Sequence, residues 1–237
     1  VWQVALDLPD DALVAASAVL SATERARADR GTESVRRRRI ALRAALRTAA
    51  ARELGCSPAE VPLRTGESGR PEVAGPAELD VTCSSSGAVG LVAVGRGVRV
   101  GIDLERVTPW APEVLAEGWL SDAEVAALLA LPARARGIAA ARVWAGKEAV
   151  LKAVGCGLTV APTLVEPGFA TTPVQVAGWT VAGLATPPGT VGRIACSRPR
   201  ALGPRALGPR ALSPRPLRPR PLVPRPLDLD PAGGSTP

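Results

Sequence analysis

The sequence predicts an α+β chain made of two similar halves, residues 1–97 and 98–197, followed by a Pro/Arg-rich tail over 198–237. One order of elements occurs twice: a strand, a helix opened by a capping box, a helix closed by glycine, then short strands. The capping boxes are Ser21-Ala22-Thr23-Glu24 and Ser121-Asp122-Ala123-Glu124, and the closing glycines are Gly55 and Gly155. Composition then changes abruptly, with 11 of the 24 prolines lying after Arg198. Proline that dense lacks the N–H groups a helix or ladder needs, so the tail is expected to be extended or disordered.

Taken in order, Trp2 to Leu8 alternates loosely and reads as an opening strand. Asp10-Asp11 precedes an Ala/Leu/Val helix reaching Leu20. The capping box at Ser21 starts a long basic helix with Ile40, Ala44, Leu46, Ala50 and Leu54 on its apolar side, ended at Gly55. Gly66 to Pro71 is rich in turn formers. Val81–Ser84 reads as a short strand, Ser84-Ser85-Ser86-Gly87 as a turn, and Ala88–Val94 as a buried strand. Through Gly95-Arg96-Gly97 that strand is expected to form a hairpin with Val98–Leu104. The second capping box opens a helix to Leu131, which Pro132 stops. Ala139–Val154 is a helix ended by Gly155-Cys156-Gly157, and Val174–Val176, Trp179–Leu184 and Val191–Cys196 are strands.

Composition narrows the chemistry. The chain has no histidine, which excludes His-based zinc sites, Ser-His-Asp triads and imidazole acid–base catalysis. Its four cysteines are scattered without a C-x-x-C pair, as in a reducing compartment. No signal peptide is visible and no apolar run reaches the roughly 18–20 residues of a membrane span, so a cytoplasmic location is expected. The net charge of +7 belongs mostly to the tail, where eight Arg and two Asp give +6. Residues 1–197 then carry 21 basic and 20 acidic groups, a net of +1, which argues against nucleic-acid binding by the folded part.

The chemistry gathers between Val98 and Leu158. In Gly101-Ile102-Asp103-Leu104-Glu105, Ile102 and Leu104 point one way, so Asp103 and Glu105 share the opposite face. In the helix, Val143, Val150, Leu151 and Val154 form a buried stripe, and Trp144, Glu148 and Lys152 a neighbouring one. A helix packed across the strand would bring three carboxylates and a lysine together, the donor set for a magnesium-dependent reaction on a phosphate ester. The arginine run Arg36 to Arg39 reads either as a solvated helix face or as part of an anion site. Trp144, Trp110, Trp119 and Trp179 read as packing residues.

Together, Gly69-Arg70-Pro71, Ser84-Ser85-Ser86-Gly87, Gly101-Ile102-Asp103-Leu104-Glu105 and Trp144-x-x-Lys147-Glu148-x-x-x-Lys152 resemble the 4′-phosphopantetheinyl transferases. The resemblance is to the larger monomeric class typified by the surfactin-synthetase-activating enzyme, and it covers residues 1 to about 190. It implies that family's pseudo-dimeric fold, with coenzyme A and magnesium between the halves. It further implies transfer of phosphopantetheine to a serine of an acyl or peptidyl carrier protein, by a monomer. Asp103, Glu105 and Glu148 would be the magnesium site, Glu148 the base, and Lys152 the phosphate contact that stabilises the leaving group. Arg38 would hold the 3′-phosphate, with Arg27 beside it; Arg70 would lie near the adenine, and Ser84 and Ser85 at the phosphates. A rim near residues 110–140 would dock the carrier. Two departures stand out: Ser85 replaces the family's usual histidine, and Arg193 interrupts the closing apolar strand. They motivate a second reading, a relative that binds coenzyme A or a carrier without turnover; a third is a basic nucleic-acid-binding protein.

Overall fold

A computed structural model describes residues 1–66, 68–75, 79–197 and 225–226. The first half runs β1 (Trp2–Ala5), α1 (Asp10–Ala18), α2 (Ala22–Ala28), α3 (Glu33–Leu54), β2 (Leu63–Thr65), β3 (Pro71–Val73), β4 (Leu79–Ser86) and β5 (Val89–Arg96). The second runs β6 (Arg99–Arg106), α4 (Asp122–Leu129), α5 (Ala133–Val154), β7 (Val174–Val176), β8 (Trp179–Leu184) and β9 (Thr190–Ser197). A two-residue strand, β10 (Arg225–Pro226), follows. The architecture is therefore α+β, as the sequence predicts.

Each half lays one long helix on one sheet. The first sheet has the order β10-β1-β5-β4 and the second β6-β9-β8-β7; β2 and β3 form a separate hairpin. α3 is alanine-rich on its inner face, where Ala41, Ala45, Leu46 and Ala49 pack on Val4, Leu6, Val81 and Val92. α5 uses Ala149, Val150 and Ala153 against Trp179, Val181 and Ala195. Small side chains on both helices allow close approach to the sheets, and the limit is reached at Gly101. A Cβ there would collide with the Ala149 carbonyl oxygen and the Ala153 nitrogen, so glycine is what lets α5 lie directly on β6.

The repeated order is visible at an offset of 100 residues. α3 and α5 each span 22 residues and end at a left-handed glycine, Gly55 (φ 69°) and Gly155 (φ 83°). Both capping boxes form, with Ser21 and Ser121 accepting from the N–H of Glu24 and Glu124.

Several expectations give way to tertiary structure. The single helix from Ser21 to Leu54 is two: α2 stops at Ala28, Gly31 lies in the break, and Thr32 opens α3. The triple serine is not a turn but the end of β4; Ser86 pairs with Val89 and the chain reverses at Gly87 (φ 61°). α5 begins at Ala133 rather than Ala139.

β5 and β6 do not form a hairpin. Both edges of β5 are taken by β1 and β4, so β6 passes into the second sheet and pairs with β9. The apolar face of β6 (Val100, Ile102, Leu104) then packs on Leu91 and Ala93 of β5, making a core between the sheets. β4 and β6, each at the end of its sheet, lie alongside one another. Asp80 accepts from the Val100 N–H at 2.7 Å, and Arg70 bonds both Asp80 Oδ2 (2.7 Å) and the Val100 carbonyl (2.8 Å).

Arg193 does not interrupt the last strand: β9 runs unbroken through it. Its side chain is fully buried beneath α5, with Nη1 on the Ala170 carbonyl and Nε and Nη2 unpartnered. Burial, helped by nearby Arg142, pulls its pKa down to about 10. Two unpaired donors on a buried cation cost more than the one bond returns. Arg193→Met should therefore stabilise the fold by about 1–3 kcal/mol, read as a higher urea midpoint; a lower midpoint would contradict this accounting. In the tail, Arg225 and Pro226 pair in parallel with Trp2 and Gln3, a ladder the proline content argued against. Pro226 can sit there because it forms the sheet's outer edge. The rest of the tail lies outside the described residues. Among those described, no helix is long and apolar enough to cross a membrane.

Candidate functional site

The seam between β4 and β6 brings the sequence motifs together. Asp103 is buried on the face of β6 that α5 covers. Its Oδ1 receives Lys152 Nζ at 2.5 Å and Ser84 Oγ at 2.8 Å, and Lys152 Nζ is also 3.2 Å from Ser84 Oγ. One carboxylate oxygen thus ties β4, β6 and α5 together. The other, Oδ2, is buried without a hydrogen-bond partner, and a buried carboxylate oxygen in that state could accept from a cation. Burial opposes the charge on Lys152, but Asp103, with Glu148 behind it, raises its pKa above the ordinary lysine value. Lys152 stays cationic.

Glu105 and Glu148 flank this pair. Burial, reinforced by the Asp103 carboxylate, pushes Glu105 up to about 7, while Lys152 and the Trp144 indole pull the other way. Glu148 is likewise raised, by burial first, with Asp103 adding to the effect and Lys152 opposing it. Among the described residues no group of three or more such side chains is arranged to hold a metal ion. The donor chemistry nevertheless fits a hard divalent cation: an orphaned buried oxygen on Asp103, and two neighbouring carboxylates that would gain from added positive charge.

Beside the seam, α2, α3, Thr65 and β4 enclose a cavity of about 610 Å³. Arg27, Arg30, Arg39 and Arg43 line it, with Glu24, Leu42 and Cys83. Arg39 also caps α2 by donating to the Arg27 and Arg30 carbonyls. Arg27, which the sequence reading sets beside Arg38, lines this basic cavity. Arg38 and Arg39 are both exposed, but only Arg39 lines the cavity. Adjacent helix positions differ by about 100°, so only part of the Arg36–Arg39 run can face inward; Arg39 and Arg43, one turn apart, do so. That spacing was the available signal. Arg70 is the second departure. Its guanidinium is held in the buried bonds to Asp80 and Val100, so it braces the seam instead of reaching toward the cavity. Ser85, in contrast, is exposed next to buried Ser84.

On the far side of Glu105 lies a smaller pocket of about 220 Å³, lined by Arg106, Trp110, Val114, Trp119 and Trp144 among others. Trp119 and Trp144 meet edge to face at 5.0 Å, and Arg136 stacks over Trp110 at 5.9 Å. Three tryptophans read from sequence as packing residues thus shape a pocket wall; Trp179 is core. Glu105 thus belongs both to the carboxylate–lysine centre and to the aromatic pocket, while Cys83, next to Ser84 in β4, lines the basic cavity.

Residues 99–180, which carry Asp103, Glu105, Glu148 and Lys152, match the family model of the 4′-phosphopantetheinyl transferase superfamily. The chain is 34% identical over 181 residues to the 4′-phosphopantetheinyl transferase HetI of Nostoc sp., covering 74% of this chain and 75% of that protein. It is 31% identical over 146 residues to the putative 4′-phosphopantetheinyl transferase slr0495 of Synechocystis sp., covering 60% of this chain and 59% of that protein.

Proposed function

Since the chain belongs to the 4′-phosphopantetheinyl transferase superfamily, we propose that it transfers 4′-phosphopantetheine from coenzyme A to a serine of an acyl or peptidyl carrier protein. The observation that carries this reading is the Asp103 centre: one oxygen engaged by Lys152 and Ser84, the other buried and free. Residues 1–97 would form the nucleotide half and residues 98–197 the catalytic half, meeting where β4 abuts β6.

Asp103, Glu105 and Glu148 would hold a magnesium ion. Bound there, the ion neutralises charge on the diphosphate and polarises the attacked phosphorus. Glu148, whose pKa is raised chiefly by burial, is the candidate base. It takes the proton of the carrier serine as the serine oxygen forms its bond to the β-phosphorus. The bond from that phosphorus to the bridging oxygen breaks, and adenosine 3′,5′-bisphosphate leaves with the electron pair. Lys152, kept cationic by its neighbours, stabilises the negative charge left on that oxygen. The basic cavity suits the nucleotide's phosphates, held by Arg27, Arg39 and Arg43 in place of Arg38 and Arg70. The aromatic pocket beside Glu105 suits the methyl and methylene groups that alternate with amides along the pantetheine arm, and it adjoins the proposed carrier-docking rim near residues 110–140.

The arginine assignment predicts a separation of effects. Arg43→Ala should raise KM for coenzyme A about 10- to 100-fold, the loss of one charge-assisted contact, with kcat nearly unchanged. Arg38→Ala should stay within about 2-fold, as befits a solvated side chain. Steady-state kinetics on an apo carrier protein test this; the reverse ranking would return the phosphate site to Arg38.

A further inference from the structure

Lys147 sits beside Glu148 in the sequence yet is fully buried on another side of α5. Its Nζ meets Glu124 Oε2 at 2.7 Å, the Val165 carbonyl at 2.7 Å and the Pro162 carbonyl at 2.9 Å. All three ammonium protons have acceptors, so none is left for a substrate. Glu124 is itself the capping-box residue of α4, and the same Oε2 accepts the Ser121 N–H at 3.0 Å.

The first half repeats this arrangement. Arg47, 100 residues earlier, is buried and bonds Glu24 Oε2 at 2.8 Å and the carbonyls of Pro58 (2.9 Å), Ala59 (3.3 Å) and Val61 (3.1 Å). Glu24 Oε2 also caps its own helix, accepting the Ser21 N–H at 2.9 Å. In both halves a capping-box glutamate and a cation 23 residues later lock the long helix to the preceding helix and to the carbonyls that follow.

We infer that Lys147 is a positioning residue: it fixes the rotation of α5, and so the aim of Glu148 and Lys152, without touching coenzyme A. This rests on the proposed transferase reading. The clamp matters at the seam because Lys152 reaches Asp103 from the same helix, five residues further along. The first-half counterpart also shows that a guanidinium can fill such a clamp.

Lys147 and Lys152 are the chain's only lysines, which makes amine acetylation of the native protein, with peptide mapping, a direct test. Native Lys147 should resist acetylation, with or without coenzyme A, until urea exposes it. Acetylation of native Lys147 that coenzyme A suppresses would overturn the inference; this readout does not depend on transfer activity. Where the wild type transfers, Lys147→Arg should retain kcat within about 3-fold. Lys147→Met should lose about 100-fold in kcat with KM for coenzyme A changed less than 3-fold. A Lys147→Met/Glu124→Leu pair removes the stranded carboxylate and keeps the test usable if the single variant fails to fold. A loss in Lys147→Arg equal to that in Lys147→Met, or a rise in KM in place of the fall in kcat, would contradict a positioning role.

Discussion

Asp103→Asn is expected to lower kcat for phosphopantetheine transfer by at least about 10³-fold, with the folded state retained. The substitution keeps the shape and one acceptor, so Ser84 can still be bonded. It removes the charge that holds Lys152 at 2.5 Å and the anionic oxygen proposed to bind magnesium. Two contributions to charge stabilisation at the reacting phosphate fall together, each worth a few kcal/mol in a water-poor site. Adding magnesium should recover little activity, because a neutral amide is a poor ligand for so hard a cation. Ser84→Ala should cost only about 10-fold, since the Lys152 contact remains. A comparable loss in both variants would mean that the hydrogen-bonded frame, not the charge of Asp103, supports the reaction. Kinetics with and without excess magnesium, alongside circular dichroism, decide between these outcomes.

The second large effect is on pH. Burial, with the Asp103 carboxylate beside it, pushes Glu105 up to about 7 when no cation is bound. Below that pH its proton competes with the metal, so activity at limiting magnesium should fall about tenfold per unit, to roughly one hundredth at pH 5. Raising magnesium should move the falling limb to lower pH, because metal and proton compete for one carboxylate. A profile that ignores magnesium would remove Glu105 from the metal site. Stability without metal should run the opposite way. The folded pKa lies above the ordinary carboxylate value, so ionised Glu105 destabilises the fold. Its contribution improves as pH falls from about 7 toward 4.5 and is flat below that. Magnesium should cancel that trend.

Much of this site is legible in the sequence because it depends on short spacings. Two residues along β6 set Asp103 and Glu105 on one face, and four along α5 set Glu148 and Lys152 on one stripe. Gly101 is legible as part of a motif, but its reason, the passage of α5 over the strand, is tertiary. The failures share a cause. The expected β5–β6 hairpin is locally reasonable, since a glycine turn joins two apolar strands; β5 simply has both edges occupied. Arg38 and Arg39 differ by one helical position, and only the placement of α2 around the cavity tells which of them lines it. Arg70 carries the right motif, yet Asp80, ten residues away, takes its charge. The buried Arg193 broke a pattern rule without breaking the strand, because the Ala170 carbonyl gives it one partner. Each outcome depends on a neighbour distant in sequence.

The most direct measurement is the mass of an apo carrier protein after incubation with coenzyme A, magnesium and this protein. The account predicts a gain of one phosphopantetheine group on the carrier serine, abolished by Asp103→Asn and by removal of magnesium. An unmodified carrier, with coenzyme A bound in the basic cavity, would contradict it and leave a binding protein that does not turn over. Unmodified carrier with the wild type, but modification after Ser85→His, would locate the lost activity in the neutral serine at the end of β4.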